Sequence, residues 1–229
     1  MFGWKSKNQK RLEKALSLHP KGQLKNFLMT PLADQNRSAE HIDYFVIDFE
    51  TTGLDYKKDH IISMGFTTIK NGRIQLQHSQ HHLVKTDKKL QSDNVSIHQI
   101  TDDAVSHGIT VKTMMNLLLQ NLSGKVMVAH YKNIEENFIQ SISETLYGHK
   151  LPLLVVDTLN IERRIRQKLN QPIYSNQLRL FNLREHYHLP RYHAHNALED
   201  AIATAELLLA QISHRQRQGY QVKLKDILS

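Results

Sequence analysis

The apolar residues of the chain first form short strand-like runs and later recur at helical spacing. Strands are predicted over Tyr44–Phe49, Ile61–Ile69 and Arg73–Val84. The last two flank Asn71-Gly72, a dipeptide that favours a tight hairpin turn. We therefore expect three consecutive strands that pair as an antiparallel meander.

Helices and strands alternate in the second half of the chain. Helical spacing is found over Met114–Leu122 and Ile134–Tyr147, and strand-like runs over Val126–His130 and Leu153–Val156. Further helices are predicted in a basic segment through Arg163, Arg164, Arg166 and Lys168, and over 175–188 and 197–214. Together with the meander, these units indicate an α/β fold whose mixed sheet carries helices on both faces.

Both ends of the chain differ from its middle. Residues 5–18 have the spacing of a short amphipathic helix, residues 22–29 form a second helical piece, and a polar linker runs from Thr30 to Glu40. We therefore divide the chain into a basic helical extension with linker (1–40), a core domain (41–214) and a basic tail (215–229). The tail is expected to be loosely attached.

Composition narrows the class of protein. At 229 residues and 40% hydrophobic content, the chain suffices for one sizeable core. It has no cysteine, no signal-peptide pattern and no uncharged apolar stretch that could span a bilayer, which leads us to expect a cytoplasmic protein without a membrane partner. The net charge of +8 is carried entirely by the two ends. Basic ends could attract a polyanion or simply keep the chain in solution.

Two acidic residues at the end of the first strand carry the strongest chemical signal. Asp48 and Glu50 are two positions apart, so a strand places both carboxylates on one face. Neighbouring anions raise each other's pKa unless a cation lies between them, and all-oxygen ligation suits Mg²⁺ or Mn²⁺. The pair therefore predicts a divalent-metal site.

A second signal lies near the C-terminus. Asn196 has the features of a helix N-cap, which places Asp200 in the first turn of a helix and His195 on the loop before it. A carboxylate on a helix can hold a metal rigidly, and a histidine has the intrinsic pKa to accept a proton near neutrality.

These motifs resemble those of the DEDDh exonucleases, a family that includes the proofreading epsilon subunit of bacterial DNA polymerase III. The resemblance rests on Asp48-Phe49-Glu50-Thr51-Thr52-Gly53-Leu54 and on His195 and Asp200, and it extends over residues 42–212. The tyrosine branch of the superfamily would have Tyr at position 196, where this chain has Asn196. The resemblance implies a ribonuclease-H-like fold with a five-stranded mixed sheet.

The same resemblance implies a function and roles for individual residues. The activity would be 3′–5′ exonucleolytic hydrolysis at single-stranded DNA or RNA ends with two Mg²⁺ or Mn²⁺ ions, one generating the attacking hydroxide and the other stabilising the leaving 3′-oxygen. By resemblance Asp48, Glu50 and Asp200 are metal ligands, and His195 is the general base. Thr51, Leu54 and His98 would contact the terminal nucleotides.

The middle motif departs from the family pattern. The family has His-Asn, two residues, an aromatic and then Asp, whereas this chain has His130, Tyr131, Ile134 and Glu135 at those places. In the family an apolar residue follows the acid by three positions. Phe138 follows Glu135 at that distance, so Glu135, rather than Glu136, aligns with the family's acid. We expect Glu135 to act as the fourth metal ligand and catalytic carboxylate.

Other interpretations stay open. A catalytically silent nucleic-acid-binding or polymerase-associated module is the main alternative, and a nucleotide or dinucleotide hydrolase is another. A homodimer and a polymerase partner are both compatible with the sequence. His78, His81 and His82 are interpreted as an exposed polar strand face, and Asp157 as a helix N-cap. The basic segment from Arg163 to Lys168 could guide nucleic acid or be simply solvated.

Overall fold

A computed structural model describes residues 6–86, 88, 100–192 and 196–229. A mixed sheet forms its centre, and the strands are β1 (Tyr44–Thr51), β2 (Ile61–Lys70), β3 (Arg73–Ile74), β4 (Gln80–Leu83), β5 (Val126–Ala129) and β6 (Val155–Asp157). The order across the sheet is β3-β2-β1-β5-β6, and β4 also pairs with β2. Strands β1, β5 and β6 are parallel, whereas β2 is antiparallel to β1, β3 and β4.

The predicted α/β architecture is confirmed, with one difference in the meander. The third predicted strand, Arg73–Val84, is broken by a 3-10 turn at Leu76–His78 into β3 and β4. The described part of the sheet therefore has six strands rather than five. Alternation of apolar and polar residues alone does not reveal such a break, because both pieces pair with the same neighbour, β2.

Nine α-helices surround the sheet in the described residues. They are α1 (Lys7–Ser17), α2 (Gly22–Met29), α3 (Asp102–Ser106), α4 (Val111–Leu122), α5 (Asn133–Tyr147), α6 (Thr158–Lys168), α7 (Leu180–His186), α8 (Ala197–Arg217) and α9 (Leu224–Ile227). Among these described helices, none is both long and apolar enough to cross a membrane.

Strand β1 separates two apolar clusters because successive side chains point to opposite faces. Phe45, Ile47 and Phe49 pack in one cluster with α1, α2, α4 and α5. Tyr44 and Val46 pack in the other with α6, α8 and α9. By the same alternation Asp48 and Glu50 continue the second face, which is the face that α8 covers.

The described segments towards both ends of the chain pack on this core. Ala15 of α1 and Phe27 of α2 are buried in the first cluster, as the prediction of a helical N-terminal segment allows. The expectation of a loosely attached tail is wrong, since Val222, Leu224 and Ile227 are buried in the second cluster. Those three apolar side chains outweigh the basic composition that suggested a loose tail. The proposed domain boundaries at residues 41 and 214 stay a prediction.

Candidate metal centre

Three carboxylates converge at the carboxyl end of β1. One oxygen each from Asp48, Glu50 and Asp200 lies within 4.8 Å of the others. Glu50 is buried, and Asp48 and Asp200 are partly exposed. The structure therefore brings together two residues predicted from the first motif and one from the third, which lie some 150 positions apart in the chain.

The first two ligands owe their positions to the edge of the sheet. Strand β1 pairs with β5 from Tyr44 to Val46 and no further, so its last residues extend beyond the parallel part of the sheet. A register shift between Glu50 and Thr51 then ends the regular pairing with β2. Asp48 and Glu50 therefore stand on a rigid strand, at the end where its pairing with both neighbours stops or becomes irregular.

Asp200 is delivered by the first turn of α8. The helix begins after Asn196, whose side-chain oxygen accepts hydrogen bonds from the backbone N–H groups of Leu198 (3.0 Å) and Glu199 (3.3 Å). This confirms the predicted N-cap. Gly65 lets the helix lie directly on the sheet, because a β-carbon there would be 2.1 Å from the carbonyl carbon of Ala197. Gly65 is also the cross-strand partner of Asp48.

Glu135 lies close to Asp48 and Glu50, in the first turn of α5. It is 2% exposed, and its Oε2 has no hydrogen-bond partner among the described residues. Burial raises its pKa to about 8, although backbone N–H groups of Glu135 itself and of Phe49 lower it. A buried carboxylate oxygen with no donor is an energetic penalty in the protein alone, and a cation would relieve it.

The pKa of Asp48 shows how crowded the site is. Burial raises it well above the ordinary value, and three neighbouring carboxylates raise it further. The strongest of these neighbours is Glu135, followed by Asp200 and Glu50. Glu135 thus acts electrostatically on the centre although it lies outside the group of three converging oxygens. The donor set is entirely carboxylate, which fits hard divalent cations such as Mg²⁺ or Mn²⁺.

The neighbouring Glu136 has a different environment. It is partly exposed and forms an ion pair with Lys132, with 2.6 Å between Lys132 Nζ and Glu136 Oε2. The prediction that Glu135, and not Glu136, faces the centre agrees with this placement.

Asp157 holds the segment that carries Glu135. It caps α6, as predicted, by accepting hydrogen bonds from the N–H groups of Leu159 and Asn160. It also accepts hydrogen bonds from the backbone of Tyr131 (3.0 Å) and Lys132 (3.3 Å), just before α5. Tyr131 has a φ of 64°, a left-handed conformation that a bulky residue adopts only when its surroundings hold it. Asp157 thus fixes the turn from which α5 begins.

His130, the predicted histidine of the middle motif, is structural. Its Nδ1 lies 2.8 Å from the Thr158 hydroxyl and its Nε2 lies 3.0 Å from the Leu178 carbonyl oxygen. Burial lowers its pKa to about 4, so the ring is neutral at pH 7. A neutral ring donates to the carbonyl through Nε2 and accepts the hydroxyl proton at Nδ1.

The predicted substrate-contacting residues have different surroundings. Thr51 is buried, and its hydroxyl donates to the Gly53 carbonyl oxygen at 2.8 Å. Leu54 is 75% exposed, so it is not a core residue. The loop that presents it is organised by Asp59, whose carboxylate accepts hydrogen bonds from the Thr52 hydroxyl and the Asp55 N–H. His98 and His195 lie outside the described residues.

Sequence reasoning did not identify two further features of this site. One is Gly65, although a glycine within a strand pattern often marks a close approach of another backbone. The other is a contact of 2.6 Å between the His81 Nε2 and the hydroxyl of buried Ser63, the cross-strand partner of Glu50. The sequence predicts an exposed strand face for His81, and the residue is exposed, but its ring also reaches Ser63 beside Glu50.

Comparison with known proteins agrees with this geometry. The model of the exonuclease family described as "RNase_T: Exonuclease" matches residues 45–208, which include all four carboxylates. The chain belongs to the exonuclease family. The family match confirms the prediction made from the motifs.

Relatives of this exonuclease-family chain differ greatly in length. It is 29% identical over 180 residues to the DNA polymerase III subunit epsilon of Treponema pallidum, covering 79% of this chain and 81% of that one. It is 30% identical over 177 residues to a PolC-type DNA polymerase III of Caldanaerobacter subterraneus. That match covers 77% of this chain but only 12% of the relative, so the likeness is to a small part of a much larger protein.

A solved structure supports the fold of this exonuclease-family chain. The nuclease domain of 3′hExo, described as a DEDDh family member bound to rAMP, superposes with a TM-score of 0.65 at 14% identity. The superposition covers 84% of this chain and 98% of that domain. The shared fold confirms the ribonuclease-H-like architecture that the resemblance implied.

Proposed function

We propose that this chain is a 3′–5′ exonuclease that uses two divalent cations, Mg²⁺ or Mn²⁺, to hydrolyse the terminal phosphodiester of single-stranded nucleic acid. The observation that carries the proposal is the convergence of Asp48, Glu50 and Asp200 oxygens within 4.8 Å. Bound cations would lower the pKa of an attacking water and neutralise the charge that develops on the leaving 3′-oxygen.

The protein's own side chains hold the reacting groups in place. Asp48, Glu50 and Asp200 would ligate one cation, and Glu135 would complete the centre through its unpartnered Oε2. We assign His195 as the base that takes the proton of the attacking water, on the basis of its motif position before Asn196. Asp200, the other residue of that motif, is fixed by the N-cap of α8. This supports a rigid metal ligand at Asp200 and an adjustable base at His195.

Substrate contacts are proposed for three further residues. Leu54 would pack against the terminal bases, because an apolar side chain exposed to 75% beside a charged centre has little other contact in the described protein. Thr51 would meet the terminal 3′-hydroxyl through its backbone, and His98 would lie near the terminal nucleotide. DNA is favoured over RNA because the curated relatives are named as DNA polymerase III chains.

Digestion of 5′-labelled oligonucleotides tests this function. Matched single-stranded DNA and RNA would be incubated with the purified chain and Mg²⁺, Mn²⁺ or EDTA. We expect a ladder that shortens from the 3′ end with either metal, none in EDTA, and none with Asp48→Ala. Intact strands with both metals, together with retained strand binding, would instead favour the silent binding module.

A further inference from the structure

A cavity lies far from the carboxylate centre, between the C-terminal ends of α6 and α8. It has a volume of about 310 Å³, which is within the range of small-molecule sites. Ile161 and Ile165 contribute apolar surface to its lining. Asp200 and Arg215 are both on α8 and fifteen residues apart, which corresponds to roughly 22 Å along the helix. The cavity is therefore separate from the metal centre.

Four basic side chains line this cavity, namely Arg164, Lys168, Arg215 and Lys225. Among the lining residues Asp226 is the acidic one. The ends of α6 and α8 add about half a negative charge each, which leaves an excess of roughly two positive charges. No carboxylate of the described residues forms an ion pair with these basic groups within 4.0 Å. The positive charge is thus not neutralised internally.

Arg164 is held in place by hydrogen bonds rather than freely solvated. Arg164 donates to the carbonyl oxygens of Leu228 (3.0 Å) and Ile227 (3.1 Å), which ties α9 to α6. Burial lowers the pKa of Arg164, and the nearby Arg215 lowers it further, whereas Asp157 and Asp226 raise it in part. Such preorganised, like-charged groups favour an anion with several oxygens.

An aromatic ring completes the cavity. Tyr220 is 58% exposed, and the guanidinium carbon of Arg215 lies 5.8 Å from the centre of its ring. An exposed aromatic ring beside apolar and cationic side chains offers a stacking surface for a base and ligands for a phosphate. A purely solvated basic face would need neither the cavity nor the ring.

We propose that this cavity binds a nucleoside phosphate, with the phosphate on Lys168 and Arg215 and the base against Tyr220. The ligand is either a free nucleotide or one unit of a strand bound elsewhere on the protein. The inference concerns binding alone and does not depend on the proposed activity. It assigns a role to two basic residues of the segment Arg163–Lys168, namely Arg164 and Lys168.

Binding in EDTA tests the proposal, because hydrolysis is then excluded. The probes are inorganic phosphate, AMP and a fluorescein-labelled single-stranded oligothymidylate. The test variant is Lys168→Gln with Arg215→Gln, whereas Arg164 is left intact because it anchors α9. The control is Arg163→Gln, which removes one positive charge from α6, as Lys168→Gln does, but at an exposed position outside the cavity. Tyr220→Leu tests stacking.

We expect the double variant to bind AMP or the oligomer at least about tenfold more weakly, while Arg163→Gln changes binding little. Weakening of both probes identifies a free-nucleotide site, and weakening of the oligomer alone identifies a strand unit. In the latter case the salt slope should fall by about 1.4, for two contacts to a single strand. The proposal is overturned if neither probe weakens, if Arg163→Gln weakens binding equally, or if phosphate binds as tightly as AMP and Tyr220→Leu has no effect.

A dinucleotide hydrolysis assay with Mg²⁺ keeps this inference separate from the proposed function. A dinucleotide held at Asp48 is too short to reach a cavity roughly 22 Å away, so the double variant should hydrolyse it at the normal rate. Loss of that hydrolysis in the double variant would contradict a separate site, whereas absence of hydrolysis in every form would contradict only the proposed exonuclease activity.

Discussion

The α-carbon of Gly65 lies so close to the backbone of Ala197 that a β-carbon on Gly65 would be 2.1 Å from the Ala197 carbonyl carbon. Gly65 is the cross-strand partner of Asp48, and Ala197 begins the helix that carries Asp200. The absence of one side chain on β2 therefore determines how closely two of the proposed metal ligands approach each other.

Gly65→Ala should disrupt the centre without touching any carboxylate. The added methyl group must displace the start of α8, which costs about 1–3 kcal/mol of stability and moves Asp200 away from Asp48. We expect a loss of exonuclease activity of at least about tenfold, with a raised midpoint for Mg²⁺ activation. Activity assays across Mg²⁺ concentrations and urea unfolding would measure the two effects.

Gly108→Ala is the matched control for that variant. A β-carbon there would lie 2.7 Å from the Leu83 carbonyl oxygen, so it should also destabilise the fold, but away from α8. Equal losses of activity per folded molecule in both variants would show that Gly65 acts through general stability, and not through Asp200.

The two adjacent glutamates of α5 should behave differently. Glu135→Gln removes a buried charge beside Asp48, and we expect activity to fall about 100-fold. Glu136→Gln removes only a partly exposed ion pair with Lys132, worth about 1 kcal/mol or less, so activity should stay within about threefold. Initial rates with Mg²⁺ and with Mn²⁺ provide the measurement. The opposite ranking would mean that the family's acid aligns with Glu136.

Asp157 should matter through two separable contacts. Asp157→Ser keeps a cap for α6 but cannot also hold the N–H groups of Tyr131 and Lys132, so the start of α5 should shift and activity fall about tenfold. Asp157→Ala should lose the cap as well, lowering the free energy of unfolding by about a further 1 kcal/mol. Activity and urea unfolding of both variants distinguish the roles. Full activity of Asp157→Ser would show that Asp157 only caps α6.

Local sequence signals predicted those parts of the site that depend on local geometry. The strand alternation of Asp48 and Glu50 and the N-cap Asn196 each follow from a few neighbouring residues, and the structure agrees with them. The resemblance then supplied Glu135, which neither periodicity nor spacing would have identified.

Features that depend on distant packing were missed. The close contact of Gly65 with Ala197 joins residues more than a hundred positions apart, and the tail is fixed by three apolar residues within a basic segment. The cavity near Tyr220 arises only where the ends of α6 and α8 meet. No local pattern contains such information, because it is generated by the tertiary arrangement.

The stability of the metal-free protein should fall as pH rises from 6.5 to 8. A carboxyl group whose pKa is higher in the folded chain binds its proton more tightly there, so its contribution is lost as pH rises towards the folded value. For Glu135 this loss of stability takes place in the window between pH 4.5 and about pH 8, and the raised pKa of Asp48 acts in the same direction. His130 acts oppositely, between about 4 and 6.5, so the upper part of the window isolates the carboxylates.

Urea unfolding in EDTA at pH 6.5 and 8 measures this dependence, and Glu135→Gln should flatten it because the amide does not titrate. Mg²⁺ should raise stability most at pH 8, since the cation binds the ionised carboxylates of the folded chain and not the unfolded one. A metal-free stability that is constant or rises over this window, and is the same in Glu135→Gln, would contradict the strained carboxylate cluster inferred around Asp48.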